Sequence, residues 1–280
     1  MTREEIAVLV EAIAGEVSSG TGSAIGSIRT QGMDKDASPE ASLGPRPPKV
    51  EVDVLRADLR RLAGLIDHTL LRPDAMRPEI LAFCGEALDH GFAAVCVNPA
   101  WVPLVARELS CSQVKVATVV GFPMGATFAS CKRAEAEAAL RAGAQEIDMV
   151  MNVGALRSGE LKYVESDIRG VVELCRGVGA VVKVILENAF LTDPEKVRAC
   201  RIAELAGADF VKTSTGFGPS GATEGDVRLM RASVGPGVGV KAAGGIRTLA
   251  VALGMLKAGA NRLGTSAGVA ILGEATRGKN

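Results

Sequence analysis

Short apolar runs recur along most of the chain, each introduced by a glycine that follows an Ala-rich or charged stretch: HGFAAVCV, AGAQEIDMV, VGAVVKVIL, AGADFVKT and AGANRLGT. A brief apolar run bounded in this way reads as a buried strand. The glycine before it reads as the left-handed terminator of the preceding helix. These glycines, at 91, 143, 179, 207 and 259, are separated by 52, 36, 28 and 52 residues. Each gap of 52 holds one further strand candidate, KVATVV in the first and VGVKAA in the second. Together with LIDHT, AAVCVN, EIDMVM, VVKVIL, DFVKT and NRLGT they predict eight strands, with a unit of roughly 28 residues, a length that suits a strand plus a crossover helix.

The intervening segments carry helix signals. TDPE at 192–195 is a capping box with an early proline and opens a helix to about Ala206. Residues 131–142, CKRAEAEAALRA, are strong helix formers. Eight parallel strands alternating with helices predict an α/β fold, a closed (β/α)8 TIM barrel. A doubly wound open sheet is the alternative. It uses fewer strands and a nucleotide-binding glycine loop after the first, whereas the first strand here runs into IDHTLLRPD.

The beginning of the chain has a different texture. Ile6, Leu9, Val10, Ile13 and Val17 fall at spacings of three and four, which predicts a short amphipathic helix over residues 1–17. Residues 18–50 are dominated by Ser, Gly, Pro and charge and read as a disordered linker to a barrel over 51–280. The helix is either a frayed or docked appendage or an element of self-association or partner binding.

Composition narrows the functional classes. Hydrophobic residues make up 48% and aromatics only 3%, so the core must be aliphatic. Lys plus Arg and Asp plus Glu number 32 each, a balance that points to neither a nucleic-acid nor a membrane partner. Six cysteines without a CxxC spacing, and only two histidines, His68 and His90, argue against a metal site or a disulfide framework. Reduced thiols, no apolar run of about 18 residues and a start interrupted by glutamates suggest a cytoplasmic protein.

In such a barrel the active site gathers at the carboxyl ends of the strands. Alternation places Asp148, Val150 and Asn152 on one face of EIDMVMN, Lys183, Ile185 and Glu187 on one face of VVKVILE, and Lys212 and Ser214 on one face of DFVKTST. These are the fourth, fifth and sixth strands, neighbours in the wall. If those faces point inward, Asp148, Lys183 and Lys212 converge. A lysine attacks a carbonyl only when neutral, and lowering its pKa from about 10.4 to 7–8 requires about 4 kcal/mol. A second ammonium about 4 Å away supplies that amount. Lys212 is therefore expected to keep Lys183 nucleophilic, with Asp148 carrying protons. A lysine on a strand can instead snorkel to a rim or pair with a carboxylate. Lys241 in VGVKAAGG is either near the substrate or structural. TSTGFG, AAGGIR and GTSAG follow the sixth, seventh and eighth strands, the last two leading into helices, and suit a phosphate; the absence of nucleotide-binding glycine motifs points to a phosphorylated small molecule.

In order along residues 64–268, LIDHTLL, VCVNP, GFPMG, EIDMVMN, VKVILE, FVKTSTGF, VGVKAAGGIRT and RLGTSAG resemble the deoxyribose-phosphate aldolase family. The resemblance implies a class I barrel aldolase that needs no cofactor and cleaves 2-deoxy-D-ribose 5-phosphate to D-glyceraldehyde 3-phosphate and acetaldehyde through a lysine Schiff base. It assigns the Schiff base to Lys183, proton donation and acceptance to Asp148, and the second catalytic lysine to Lys212. The substrate is then expected to meet Asp67, Thr69, Cys96, Thr213, Gly216, Lys241, Gly244, Gly245, Gly264, Thr265 and Ser266. A homodimer or higher homo-oligomer is expected. NAFLTD after Glu187 departs from the family pattern, and the first 50 or so residues have no counterpart in its compact form. Two rival readings are a sugar-phosphate isomerase and a non-catalytic barrel that binds sugar phosphates.

Overall fold

The structure, a computed structural model, describes residues 1–20, 55 and 58–277. Eight strands succeed one another as β1 (Ile66–Leu70), β2 (Ala94–Val97), β3 (Lys115–Val120), β4 (Glu146–Val150), β5 (Val181–Ile185), β6 (Phe210–Lys212), β7 (Gly239–Ala243) and β8 (Arg262–Thr265). Each pairs in parallel with the next, and β8 closes on β1. The barrel expected from the repeat is present, with every strand within two residues of its predicted bounds. The five glycines that mark the repeat all adopt positive φ, between 67° and 116°, so each ends its helix in the conformation that a side chain disfavours.

The described α-helices are α1 (Arg3–Gly20), α2 (Leu59–Ala63), α3 (Arg77–His90), α4 (Val102–Glu108), α5 (Ala129–Arg141), α6 (Val153–Arg157), α7 (Leu161–Arg176), α8 (Asp193–Leu205), α9 (Glu224–Ser233), α10 (Leu249–Ala258) and α11 (Gly268–Arg277). The capping box at the start of α8 is formed: Thr192 N–H donates to Glu195 Oε2 at 2.7 Å, and Glu195 N–H donates to Thr192 Oγ1. On α7, Val164, Ile168, Val171, Val172 and Cys175 recur every three or four residues and are buried against the outward faces of the strands.

At the chain start α1 extends through Gly20, three residues past its predicted end. It buries Ile6, Val10, Ile13 and Val17 and packs on α8 and α9. Residues 21–50 of the expected linker lie outside the described residues.

Outward strand positions such as Val95, Val97, Ile147, Met149, Val182 and Val184 form the greasy layer beneath the helices. The inward positions are unusual because seven of them are charged: Asp67, Glu146, Asp148, Lys183, Lys212, Lys241 and Arg262. Glu146, Phe210 and Arg262 occupy the amino-terminal floor, where each begins its strand. Above them come Asp67, Lys183 and Lys241, then Cys96, Asp148 and Lys212, following the alternating layers of this fold. Two glycines make room for these side chains. A Cβ on Gly239 would lie 2.2 Å from the Phe210 ring, and one on Gly264 would lie 3.0 Å from Lys241 Cε.

Candidate active site

Strand register brings the site together. Asp148 on β4 is the lateral partner of Lys183 on β5, and Lys212 on β6 is the partner of Lys241 on β7. Lys183 Nζ donates to Asp148 Oδ1 at 2.8 Å, and Lys212 Nζ donates to Asp148 Oδ2 at 2.8 Å. Lys241 Nζ also donates to Oδ2, at 2.7 Å, and to Asp67 Oδ2 at 2.5 Å. Lys183 lies a further 2.5 Å from Glu146 Oε2 and 3.6 Å from Asp67 Oδ2. Arg262 Nη1 donates to Asp67 Oδ1 at 2.6 Å and reaches Glu146 Oε2 at 3.3 Å. Asp67, Asp148, Lys183, Lys212 and Lys241 are buried. Such charges are tolerated only where each is paired and hydrogen-bonded, as here.

Four cations, Lys183, Lys212, Lys241 and Arg262, thus share three carboxylates, Asp67, Glu146 and Asp148. One positive charge is in excess, and the cluster reaches neutrality when one proton leaves. Burial pushes the Asp148 carboxyl up, but Lys183, Lys212 and Lys241 outweigh it and hold it well below the usual carboxylate range. Burial likewise opposes ionisation of Asp67, yet Arg262, Lys241 and Lys183 hold it low.

The two catalytic candidates are pulled in opposite directions. Burial lowers Lys212, repulsion from Lys241 adds to this, and the single carboxylate Asp148 does not compensate. Burial also disfavours the Lys183 ammonium, but Asp148, Glu146 and Asp67 outweigh it and leave its pKa raised. The expectation that Lys212 depresses Lys183 is therefore corrected for the resting protein. Three carboxylates within 4 Å hold Lys183 as an ammonium, and the proton most easily lost belongs to Lys212.

A cleft of about 560 Å³ opens above the cluster at the carboxyl ends of β1, β6, β7 and β8. Of the residues expected to meet a substrate, Thr69, Gly216, Gly244, Gly245, Gly264, Thr265 and Ser266 line it, and so does Lys212. Asp67, Cys96, Thr213 and Lys241 are buried beneath. Lys241 is an ion-pair partner of Asp67 and Asp148, and Thr213 Oγ1 donates to Ala243 O at 3.1 Å. Cys96 sits beside the lysines with its thiol pushed up to about 11, chiefly by burial and then by Asp148.

Strand alternation fails just past the strand ends. Asn152 leaves the barrel to cap α6, its Oδ1 accepting from Ala155 N–H at 3.0 Å. Glu187 turns into the left-handed region, φ 54°, where its carboxylate accepts from the Thr215 hydroxyl and ties the β5 loop to the β6 loop. NAFLTD begins with a short 3-10 turn, Asn188–Phe190, whose Asn188 N–H donates to Thr213 O at 2.9 Å.

Sequence reasoning overlooked Glu146 and Arg262. Glu146 shares the two-residue period with Asp148, so its inward direction was readable. It also passed over Lys132 and Asp167, a buried pair 2.5 Å apart that joins α5 to α7, with Lys132 Nζ also donating to Val150 O at the end of β4.

Comparison with known proteins places the chain among aldolases. Residues 61–274 match the DeoC/LacD family aldolase. The deoxyribose-phosphate aldolase of Streptococcus pneumoniae serotype 19F is 58% identical over 212 residues, covering 76% of this chain and 96% of its own. That of Thermococcus gammatolerans is 56% identical over 213 residues, covering 75% and 95%. The tetrameric deoxyribose phosphate aldolase structure from Aeropyrum pernix superposes with a TM-score of 0.75 at 34% identity, covering 80% of this chain and 95% of its own. Given that match and a lysine–aspartate–lysine constellation at the mouth of a closed barrel, the chain belongs to the DeoC/LacD aldolase family.

Proposed function

We propose that the protein is a class I aldolase that reversibly cleaves 2-deoxy-D-ribose 5-phosphate to D-glyceraldehyde 3-phosphate and acetaldehyde, in deoxynucleoside breakdown. The observation that carries this reading is the bridge from Lys183 through the two oxygens of Asp148 to Lys212. It supplies a buried amine, a proton carrier and a base in line.

In the free enzyme Lys212 gives its proton to solvent through the cleft that it lines. As neutral base it then draws a proton from Lys183, handed across Asp148, whose two oxygens already contact both amines. The transfer keeps the charge of the cluster constant and leaves Lys183 as a free amine. Its lone pair attacks C1 of the open-chain sugar, and the carbinolamine loses water to form a protonated imine. A base removes the proton of the C3 hydroxyl. The C2–C3 bond breaks, its electrons flow into the imine to give an enamine, and glyceraldehyde 3-phosphate departs. Protonation of the enamine at C2 and addition of water release acetaldehyde and regenerate Lys183. Asp148 and Lys212 are placed to carry these protons.

The substrate phosphate fits the far side of the cleft. Gly244 and Gly245 adopt positive φ, 86° and 78°, which bares their amides, and Gly264–Ser266 precede the N-terminus of α11. Exposed Arg247 lies at the same rim. Amides at helix starts and a nearby cation favour a phosphate dianion.

No helix among the described residues is long and apolar enough to cross a membrane. A cytoplasmic location and a homo-oligomeric state are part of the proposal, the latter in keeping with the Aeropyrum pernix relative described as tetrameric. The direct test is release of glyceraldehyde 3-phosphate from 2-deoxyribose 5-phosphate. The purified chain should form it, and Lys183→Ala should not. Absence of product from the unmodified chain would overturn the reading.

A further inference from the structure

The floor of the barrel holds a contact that the reaction as described does not use. β4 and β8 are four strands apart whichever way the closed ring is followed, so they stand on opposite walls. Arg262, at the start of β8, nevertheless reaches Glu146 at the start of β4, 3.3 Å to Oε2. The same Nη1 donates to Asp67 on the adjacent strand at 2.6 Å. The Arg262 guanidinium is seated 5.7 Å from the centroid of the Phe210 ring, and that ring occupies the space that Gly239 leaves open. Both carboxylates that Arg262 holds are also neighbours of Lys183, Glu146 at 2.5 Å and Asp67 at 3.6 Å.

We propose that Arg262 and Glu146 are an opposed pair of positioning residues beneath the site: Glu146 retains the proton on Lys183, and Arg262, by occupying Glu146 and Asp67, weakens that retention. Neither touches the substrate cleft. They act on the nucleophile from the end of the barrel away from the substrate. The inference rests on Lys183 being the imine-forming residue.

The charge surroundings of Lys183 bear this out on every side. β4 presents Asp148 and Glu146, β1 presents Asp67, and β8 presents Arg262. β7 contributes Lys241, β6 contributes Lys212 with Asp209 at its amino end, and β2 contributes the thiol of Cys96. β3 turns Ala117 and Val119 inward and carries Lys115, exposed at its amino end, on the same alternation. Glu146 favours the Lys183 ammonium and Arg262 opposes it, so their removal acts in contrary senses.

The test is the initial rate at which acetaldehyde and borohydride label Lys183, followed from pH 5 to 10 with the adduct located by peptide mass mapping. Glu146→Gln keeps the shape and removes the charge. At a given pH below the plateau it should raise the labelling rate, with the profile displaced to lower pH by about one unit. Arg262→Met should lower the rate and displace the profile upward by a similar amount. The double variant should return toward the parent profile, a cancellation that mere loosening of the floor would not produce. If Arg262→Met does not fold, the Glu146→Gln displacement decides alone. Labelling on Lys183 with no displacement, or with both variants moving the same way, overturns the inference and leaves the aldolase reading intact. Labelling at another lysine in the parent protein overturns the aldolase reading itself.

Discussion

Asp148 holds Lys183 with one carboxylate oxygen and Lys212 with the other, both at 2.8 Å. This single side chain decides whether a proton can pass between the two amines and whether three buried ammonium groups can coexist. Asp148→Asn keeps the volume and removes the charge. The variant should lose turnover by about 10²- to 10⁴-fold. It should also lose about 3–5 kcal/mol of stability, because Lys183, Lys212 and Lys241 would lose their shared counter-ion. Steady-state rates and chemical denaturation of the purified variant check the two effects separately.

The same carboxylates predict acid sensitivity. Asp148 and Asp67 are held below their usual range when folded, so their contribution to stability is present above the unfolded value of about 3.9. It is lost as pH falls through the folded values. The denaturation midpoint should drop steeply below about pH 4, and the Asp148→Asn protein should show a shallower drop over the same window. Equal slopes in the two proteins would contradict this account.

Lys132 and Asp167 give a prediction away from the chemistry. Both are buried, and Lys132 also serves the carbonyl at the end of β4. Lys132→Met strands a buried carboxylate and should cost about 3–5 kcal/mol, or on the order of 10 °C in Tm. Adding Asp167→Leu removes the stranded charge and should recover part of the loss. Calorimetry on the single and double variants measures the recovery.

Much of this arrangement was legible in the chain. The glycines before each apolar run located the helix ends, and eight runs counted to a closed ring. The two-residue period placed Asp148, Lys183 and Lys212 on inward faces because each still belongs to a regular strand, Asp148 and Lys183 at its middle and Lys212 at the last residue of β6. It misplaced Asn152 and Glu187, which lie beyond Val150 and Ile185, where the strands stop and the backbone turns. The meeting of Arg262 with Glu146 was hidden, since it depends on closure across the barrel between residues more than a hundred positions apart. The direction of the Lys183 shift was hidden for the same reason. It depends on how many carboxylates come within 4 Å, and Glu146 and Asp67 arrive there only through the register of the ring.

Phosphate recognition can be separated from catalysis. Ser266 is exposed at the cleft, ahead of α11. Ser266→Asp would set a like charge against the substrate phosphate and should raise KM for 2-deoxyribose 5-phosphate at least about tenfold. Cleavage of unphosphorylated 2-deoxyribose should change little, and a parallel loss on both substrates would place the phosphate elsewhere.

The most direct measurement is reduction of the covalent intermediate. Acetaldehyde with borohydride should leave one two-carbon adduct per chain, on Lys183, and abolish turnover as it forms. Lys183→Ala should take up none. An adduct mapped to Lys212 or Lys241 while Lys183 stays unmodified, or full turnover by Lys183→Ala, would contradict the assignment of the nucleophile.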